Sequence, residues 1–144
     1  MIRRAVPDDI PRLLPLVADY WRFEGIAGFE AKRVTHSLEQ LLSTETSGAG
    51  WIADDDAGYL LVTRGFSLEY GGPTAVIDEF FVRPQRRGNG LGAALLTAAE
   101  EACRAAGCVR LELELGRGND AARGFYARHG FMARSGYELL EKML

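Results

Sequence analysis

Apolar residues recur at Ile10, Leu13, Leu14, Val17 and Trp21, the three-and-four spacing of one helix face, directly after an Asp8-Asp9 pair with N-cap chemistry. Pro11 suits the first turn of that helix, and Pro15 predicts a kink in it. Gly25 and Gly28 interrupt the pattern. Residues 29–42 then carry Val34, Leu38, Leu41 and Leu42 at helical spacing again. Residues 1–6, ahead of both helices, read as a short strand. From Trp51 the period shortens. Residues 51–53, a turn at 54–58 and residues 59–66 predict an antiparallel hairpin. Residues 74–82, entered through Gly71-Gly72-Pro73, add a strand rich in β-branched and aromatic side chains. Residues 90–106 predict a helix closed by Gly107, and residues 109–115 alternate Val109, Leu111, Leu113 and Leu115 against Arg110, Glu112 and Glu114 as a half-buried strand. A short helix follows over 119–128, ended by Gly130, and a last strand pair or hairpin is expected in 131–144. The order βααβββαβαβ predicts one α/β domain over residues 1–144 with a mixed sheet.

Composition narrows the function classes. The chain has 144 residues, 47% hydrophobic and 26% charged, which excludes disorder and fibre and suits a globular core. Its longest apolar runs, such as residues 59–62, fall far below the ~18 residues of a bilayer span. The first residues turn polar at Asp8 before a signal-peptide core forms, so a cytoplasmic protein with no membrane partner is expected. A formal charge of −3 argues against a nucleic-acid partner. Cys103 and Cys108 are too few for a disulfide scaffold or a zinc site, and His36 and His129 stand apart from other ligand types, so no metal is expected.

The 17 glycines are the informative excess, because several gather in Val82-Arg83-Pro84-Gln85-Arg86-Arg87-Gly88-Asn89-Gly90-Leu91-Gly92. This turn joins a buried strand to a long helix, so unpaired N–H groups and the positive end of the helix dipole meet at one place. Such a place suits a phosphate or pyrophosphate. Gly88 and Gly90 allow main chain to approach an anion without Cβ obstruction, and Arg86 and Arg87 add cationic donors. Three designs compete. A P-loop fails because the chain has no Gly-Lys dipeptide. The dinucleotide fingerprint is formally met by Gly88, Gly90 and Ala93, with Glu112 about twenty residues on. Against it, five residues separate Val82 from Gly88, and only about 30 residues follow Leu115, too few for a doubly wound sheet. The third design is coenzyme A.

Gln85-Arg86-Arg87-Gly88-Asn89-Gly90 resembles the signature of the GNAT superfamily of acyl-CoA-dependent N-acetyltransferases, Gln/Arg-x-x-Gly-x-Gly/Ala after a buried strand. Leu113-Glu114-Leu115, Asn119, Ala122, Phe125-Tyr126 and Gly130-Phe131 resemble the family's second signature, and the likeness covers nearly the whole chain. It implies a single-domain GNAT-like α/β fold, with a mixed, mostly antiparallel central sheet flanked by helices. It implies acetyl-CoA as co-substrate, the pantetheine arm on main-chain groups of Phe81 and Val82, and the pyrophosphate on N–H groups of residues 87 to 92. Gln85, Arg86, Arg87, Gly88, Asn89, Gly90, Leu91, Gly92, Asn119 and Tyr126 complete the implied cofactor contacts.

Acetyl transfer to an amine needs the nitrogen neutral and the departing thiolate protonated. By the resemblance Tyr126 is the candidate acid. For the base, Asp78 and Glu79 are adjacent on a strand and so are expected to face opposite ways; Glu114 is a third option. By the same resemblance Glu24, Glu69 and Glu114 are expected at the acceptor groove, with Tyr20 and Trp21 as aromatic walls, an acidic and aromatic setting that favours a cationic amine. A small-molecule amine is the expected partner, with a homodimer open. A non-catalytic acyl-CoA sensor and an NAD-type dinucleotide-binding protein are the alternatives.

Overall fold

The predicted strands can bury their apolar positions only by pairing and taking helices onto both faces. In a computed structural model describing residues 1–144, one sheet has the order β1-β2-β3-β4-β5. Its strands are β1 (Ile2–Arg4), β2 (Gly48–Ala53), β3 (Gly58–Ser67), β4 (Gly72–Val82) and β5 (Arg110–Leu113). Neighbours from β1 to β4 pair antiparallel, and β4 pairs with β5 in parallel. The parallel step requires a crossover, supplied by α3 (Leu91–Ala105). Two further helices, α1 (Ile10–Glu24) and α2 (Ala31–Ser43), lie between β1 and β2 in sequence. The mixed, mostly antiparallel sheet flanked by helices is the class predicted from sequence. The chain forms two compact units: Met1–Leu113, which holds the whole sheet and α1 to α3, and Glu114–Leu144, which holds α4 (Asp120–Arg128).

Register decides what each face of the sheet buries. Ile52, Tyr59, Leu61 and Phe81 belong to the core formed with Leu13, Leu16 and Val17 of α1 and Val34 and Leu38 of α2. The alternate residues Trp51, Leu60 and Val62 point the other way, where α3 packs with Leu95, Leu96 and Ala99 buried. Pro15 costs α1 about 3 kcal/mol by removing a backbone bond. Leu13, Leu16 and Val17 are almost wholly buried, each contributing about 1.5–3 kcal/mol. Packing therefore wins, and α1 is assigned as one helix with Pro15 inside it.

Simple alternation fails at one place on β4. Leu61 faces Glu79 while Val62 faces Ile77, so Asp78 is an extra residue without a partner on β3. This bulge reverses the phase of the strand. Glu79 and Phe81 share the α1 face with Tyr59 and Leu61, whereas Ile77 lies on the α3 side with Val62. The expectation that Asp78 and Glu79 face opposite ways rested on unbroken pleating, which the bulge removes.

Two expectations are corrected. No strand forms after Arg128, and Met132, Tyr137, Leu139, Leu140, Met143 and Leu144 are exposed. Residues 131–144 hold Phe131 and Tyr137 but also Gly136, two glutamates, a lysine and an alanine, types depleted in strands, and no ladder partner overrides that balance. Second, Asp9 does not cap α1 by side chain. Its carboxylate accepts from the Val6 N–H (2.8 Å) and from both terminal nitrogens of Arg3 (2.8 and 2.6 Å). These Arg3 bonds, chiefly, hold the Asp9 carboxyl below the ordinary range. Its stabilising effect is complete above the ordinary carboxylate pKa and is lost as pH falls through the lowered folded value. Asp9→Ala is therefore expected to lose on the order of 1.5–3 kcal/mol at neutral pH, with the gap to wild type closing in acid, as urea unfolding across pH would read.

Candidate functional site

The end of β4 and the start of α3 make the turn that the glycine pattern singled out. Pro84–Arg86 forms a 3-10 turn, with the Arg86 N–H on the Arg83 carbonyl (2.8 Å) and the Arg87 N–H on the Pro84 carbonyl (3.3 Å). Gly88 (φ +82°) and Gly90 (φ +79°) take the left-handed conformation, and a Cβ built on either would meet nothing within 4 Å. The first bond of α3 runs from the Ala94 N–H to the Gly90 carbonyl (3.0 Å), so the amides of Leu91, Gly92 and Ala93 open outward from the helix start. Of the amides at 87 to 92, that of Arg87 is used to close the turn. Gln85 and Asn89 are exposed, and Arg86 lies 3.9 Å from Asp55.

β5 ends opposite Ile77, so its pairing with β4 does not extend to the last residues of that strand. The Arg83 N–H donates to the Ala57 carbonyl (2.9 Å), and antiparallel alternation from that bond turns the main chain of Phe81 towards β3. The amide and carbonyl of Val82 point instead away from β3, where the carbonyl meets Arg87. Of the two residues expected to offer main chain, Val82 is so oriented; Phe81 contributes its ring, packed against Tyr20 (5.8 Å) and Phe23 (6.1 Å). Arg87 Nε donates to the Val82 carbonyl (2.8 Å), with its guanidinium over the Phe23 ring at 4.7 Å.

An open cleft of about 310 Å³ lies beside this end of β4, lined by Asp19, Arg22, Phe23, Phe81, Arg83, Pro84 and Gln85. Arg83 anchors it, bonding Asp19 and, through Nε, the Asp56 carbonyl (2.9 Å). Burial opposes charge on Asp19, but hydrogen bonds from Arg22 and Arg83 outweigh it and hold that carboxyl low.

On the α1 face Glu79 is half-buried and doubly bonded. Tyr59 Oη donates to Oε1 (2.8 Å) and Trp21 Nε1 donates to Oε2 (2.6 Å). Burial raises the Glu79 carboxyl above its ordinary value, against the pull of these two donors. Asp78 is exposed, yet partial desolvation raises its carboxyl too. Tyr20, expected as a groove wall, packs between Tyr59 (6.3 Å) and Phe81. Glu24 ends α1 and Glu69 lies in the turn between β3 and β4, both exposed; the structure brings Trp21, not these acids, to the β4 carboxylate.

In the second unit, Asn119 Oδ1 accepts from the Ala122 N–H (3.2 Å) and caps α4, which Gly130 (φ +88°) ends. Tyr126 packs edge-on against Phe125 and Phe131, each at 5.4 Å. Glu114, at the start of this unit, is exposed. Sequence reasoning missed Tyr59, Arg83 and Asp19 as parts of the first unit's site. The only signals were a tyrosine in the middle of an apolar strand and charges flanking helix and strand ends.

The sequence profile of the acetyltransferase (GNAT) family matches residues 12–131, and the chain belongs to that family. It is 33% identical over 131 residues to an uncharacterized N-acetyltransferase of Archaeoglobus fulgidus, covering 88% of each. Among solved structures it is similar to an integron cassette protein from the mobile metagenome of Cole Harbour Salt Marsh, at 34% identity, 99% and 90% coverage and TM-score 0.87. The fold is also that of a ribosomal-protein-alanine N-acetyltransferase from Brucella melitensis, at 19% identity, 99% coverage of both and TM-score 0.77. The chain is an acetyltransferase of this family.

Proposed function

We propose that the chain moves an acetyl group from acetyl-CoA to a primary amine of a small cationic molecule by direct attack. The observation that carries this reading is the end of β4, past its pairing with β5, running into left-handed Gly88 and Gly90 and the outward amides of α3.

These residues fit the carrier. The space a Cβ would fill at Gly88 and Gly90 is free for a diphosphate, the outward amides of Leu91, Gly92 and Ala93 are donors without Cβ obstruction before them, and Val82 offers an amide and a carbonyl to an extended arm. Arg87 Nε takes one acceptor position of the Val82 carbonyl, and the second lone pair of that oxygen is left to accept from a ligand. When bound, acetyl-CoA supplies an acetyl group activated as a thioester. The protein's own part is to hold this group, exclude water from it and move two protons. One of the β4 acids, Asp78 or Glu79, takes the proton of the incoming ammonium, for which a carboxyl raised towards neutrality is suited. Tyr126 Oη holds the proton that the departing sulfur takes up, a role assigned by its place in the second signature.

The test is acetyl-CoA with a panel of amines, read by free thiol release and by mass of the product. Polyamine-like compounds and amino sugars are expected to release thiol, and peptide N-termini to do so more slowly. Calorimetric binding of NAD in place of acetyl-CoA would contradict the reading, and binding of acetyl-CoA without turnover would reduce the chain to a sensor.

A further inference from the structure

An amine reaches its acceptor site as an ammonium ion, so the group that takes its proton must be anionic, aimed and not already neutralised by a fixed cation. Most buried or half-buried carboxylates of the first unit fail the last condition. Asp9 is paired with Arg3, Asp19 with Arg83 and Arg22, and Asp56 with Arg12. Glu79 differs, because both of its oxygens are held by neutral donors: Tyr59 Oη on Oε1 and Trp21 Nε1 on Oε2.

We propose that Trp21 and Tyr59 are positioning residues for acetyl transfer, clamping the Glu79 carboxylate by one hydrogen bond on each oxygen so that Glu79, and not Asp78, receives the amine's proton. This rests on the reading of function given above. A carboxylate offers about four acceptor sites, two to each oxygen. The clamp uses one on each and leaves one on each open, in an orientation fixed from two elements, α1 and β3. An N–H bond of the ammonium breaks, an O–H bond forms on Glu79, and the nitrogen lone pair is freed for attack; the proton passes afterwards to solvent.

Neutral donors aim the carboxylate without spending its charge. An arginine in their place would pull its affinity for a proton down and repel the incoming cation. The groups that bear on Glu79 are Tyr59 from β3, Trp21 from α1 and Asp78 on β4, none of them a cation. The clamp also stays a donor at every working pH. An indole N–H does not ionise, and the wholly buried Tyr59 hydroxyl is pushed far above the usual phenol range by burial first and by Glu79 next, with Tyr20 and Asp78 adding to it. Asp78 is equally free of a fixed cation but is not aimed: it is the bulge residue, exposed, and shifted by partial desolvation alone, with no donor clamping its oxygens. Trp21 is itself braced, edge to face with Phe29 at 5.7 Å.

A purely structural role, tying α1 to the sheet, is separated by pH dependence. Removing a donor to the charged form raises the Glu79 pKa, so the acid limb of kcat/KM for thiol release is expected to move up by about half to one pH unit in Trp21→Phe and in Tyr59→Phe. Acetyl-CoA affinity should hold and kcat fall. Glu79→Gln should abolish the limb. Independently of turnover, the 15N–1H indole resonance of Trp21 should titrate with the pH of that limb in wild type and lie flat in Glu79→Gln, while that of Trp51, on the opposite face, does not respond. An active wild type whose two variants keep the wild-type limb, or a Trp21 indole that does not titrate, overturns the proposal. A wild type that acetylates no amine overturns the functional reading instead, and the indole titration then decides the clamp by itself, as it does if the variants fail to fold.

Discussion

Valine at Gly88 or Gly90 is expected to weaken acetyl-CoA binding by roughly a hundredfold, while Arg86→Ala weakens it by about tenfold or less. Both glycines sit at φ near +80°, a conformation that a β-branched residue adopts only at a cost of about 1–3 kcal/mol. To escape it the turn must change, and the amides at the start of α3 then no longer share one direction. Space is not the obstacle in the free protein, since a Cβ meets nothing within 4 Å at either position. The same open space is what a diphosphate would occupy, so the valine side chain obstructs the ligand as well. Arg86 is partly exposed and lies 3.9 Å from Asp55, a screened surface arrangement of the kind worth under about 1 kcal/mol. Calorimetric titration of the three variants, each with its melting temperature recorded, makes the comparison. Equal losses would move recognition from the main chain to the arginine.

Tyr126→Phe is expected to lower turnover by about 10²–10⁴, the range for removing a positioned general acid, and to leave acetyl-CoA affinity where it was. The change is nearly isosteric. The ring keeps its edge-on partners Phe125 and Phe131, and α4 keeps its Asn119 cap, so folding of the second unit is not at stake. Only the hydroxyl is lost. An unchanged rate removes Tyr126 from the chemistry, and a parallel loss of affinity makes it a binding residue instead.

Much of this architecture was legible because its causes are local. Periodicity in residues 10–24 and 31–43 is a property of neighbouring positions, and the helices formed there within a few residues of expectation. Gly88 and Gly90 marked the turn by lacking a Cβ, and both take the left-handed conformation that favours glycine. What escaped depends on pairs distant in sequence. Tyr59 and Trp21 meet Glu79 across 20 and 58 residues, and no local pattern marks them. The bulge at Asp78 is a mismatch of length between two strands, invisible in either alone, and it decides which acid faces α1. Residues 131–144 show the reverse failure: a plausible local pattern found no ladder partner and formed no strand.

A crystal structure of the chain with coenzyme A tests the central claim most directly. The account predicts the diphosphate within hydrogen-bond distance of main-chain N–H groups between Gly88 and Ala93, and the pantetheine arm on the amide and carbonyl of Val82. A diphosphate held elsewhere by side chains, with the arm away from Val82, would contradict it.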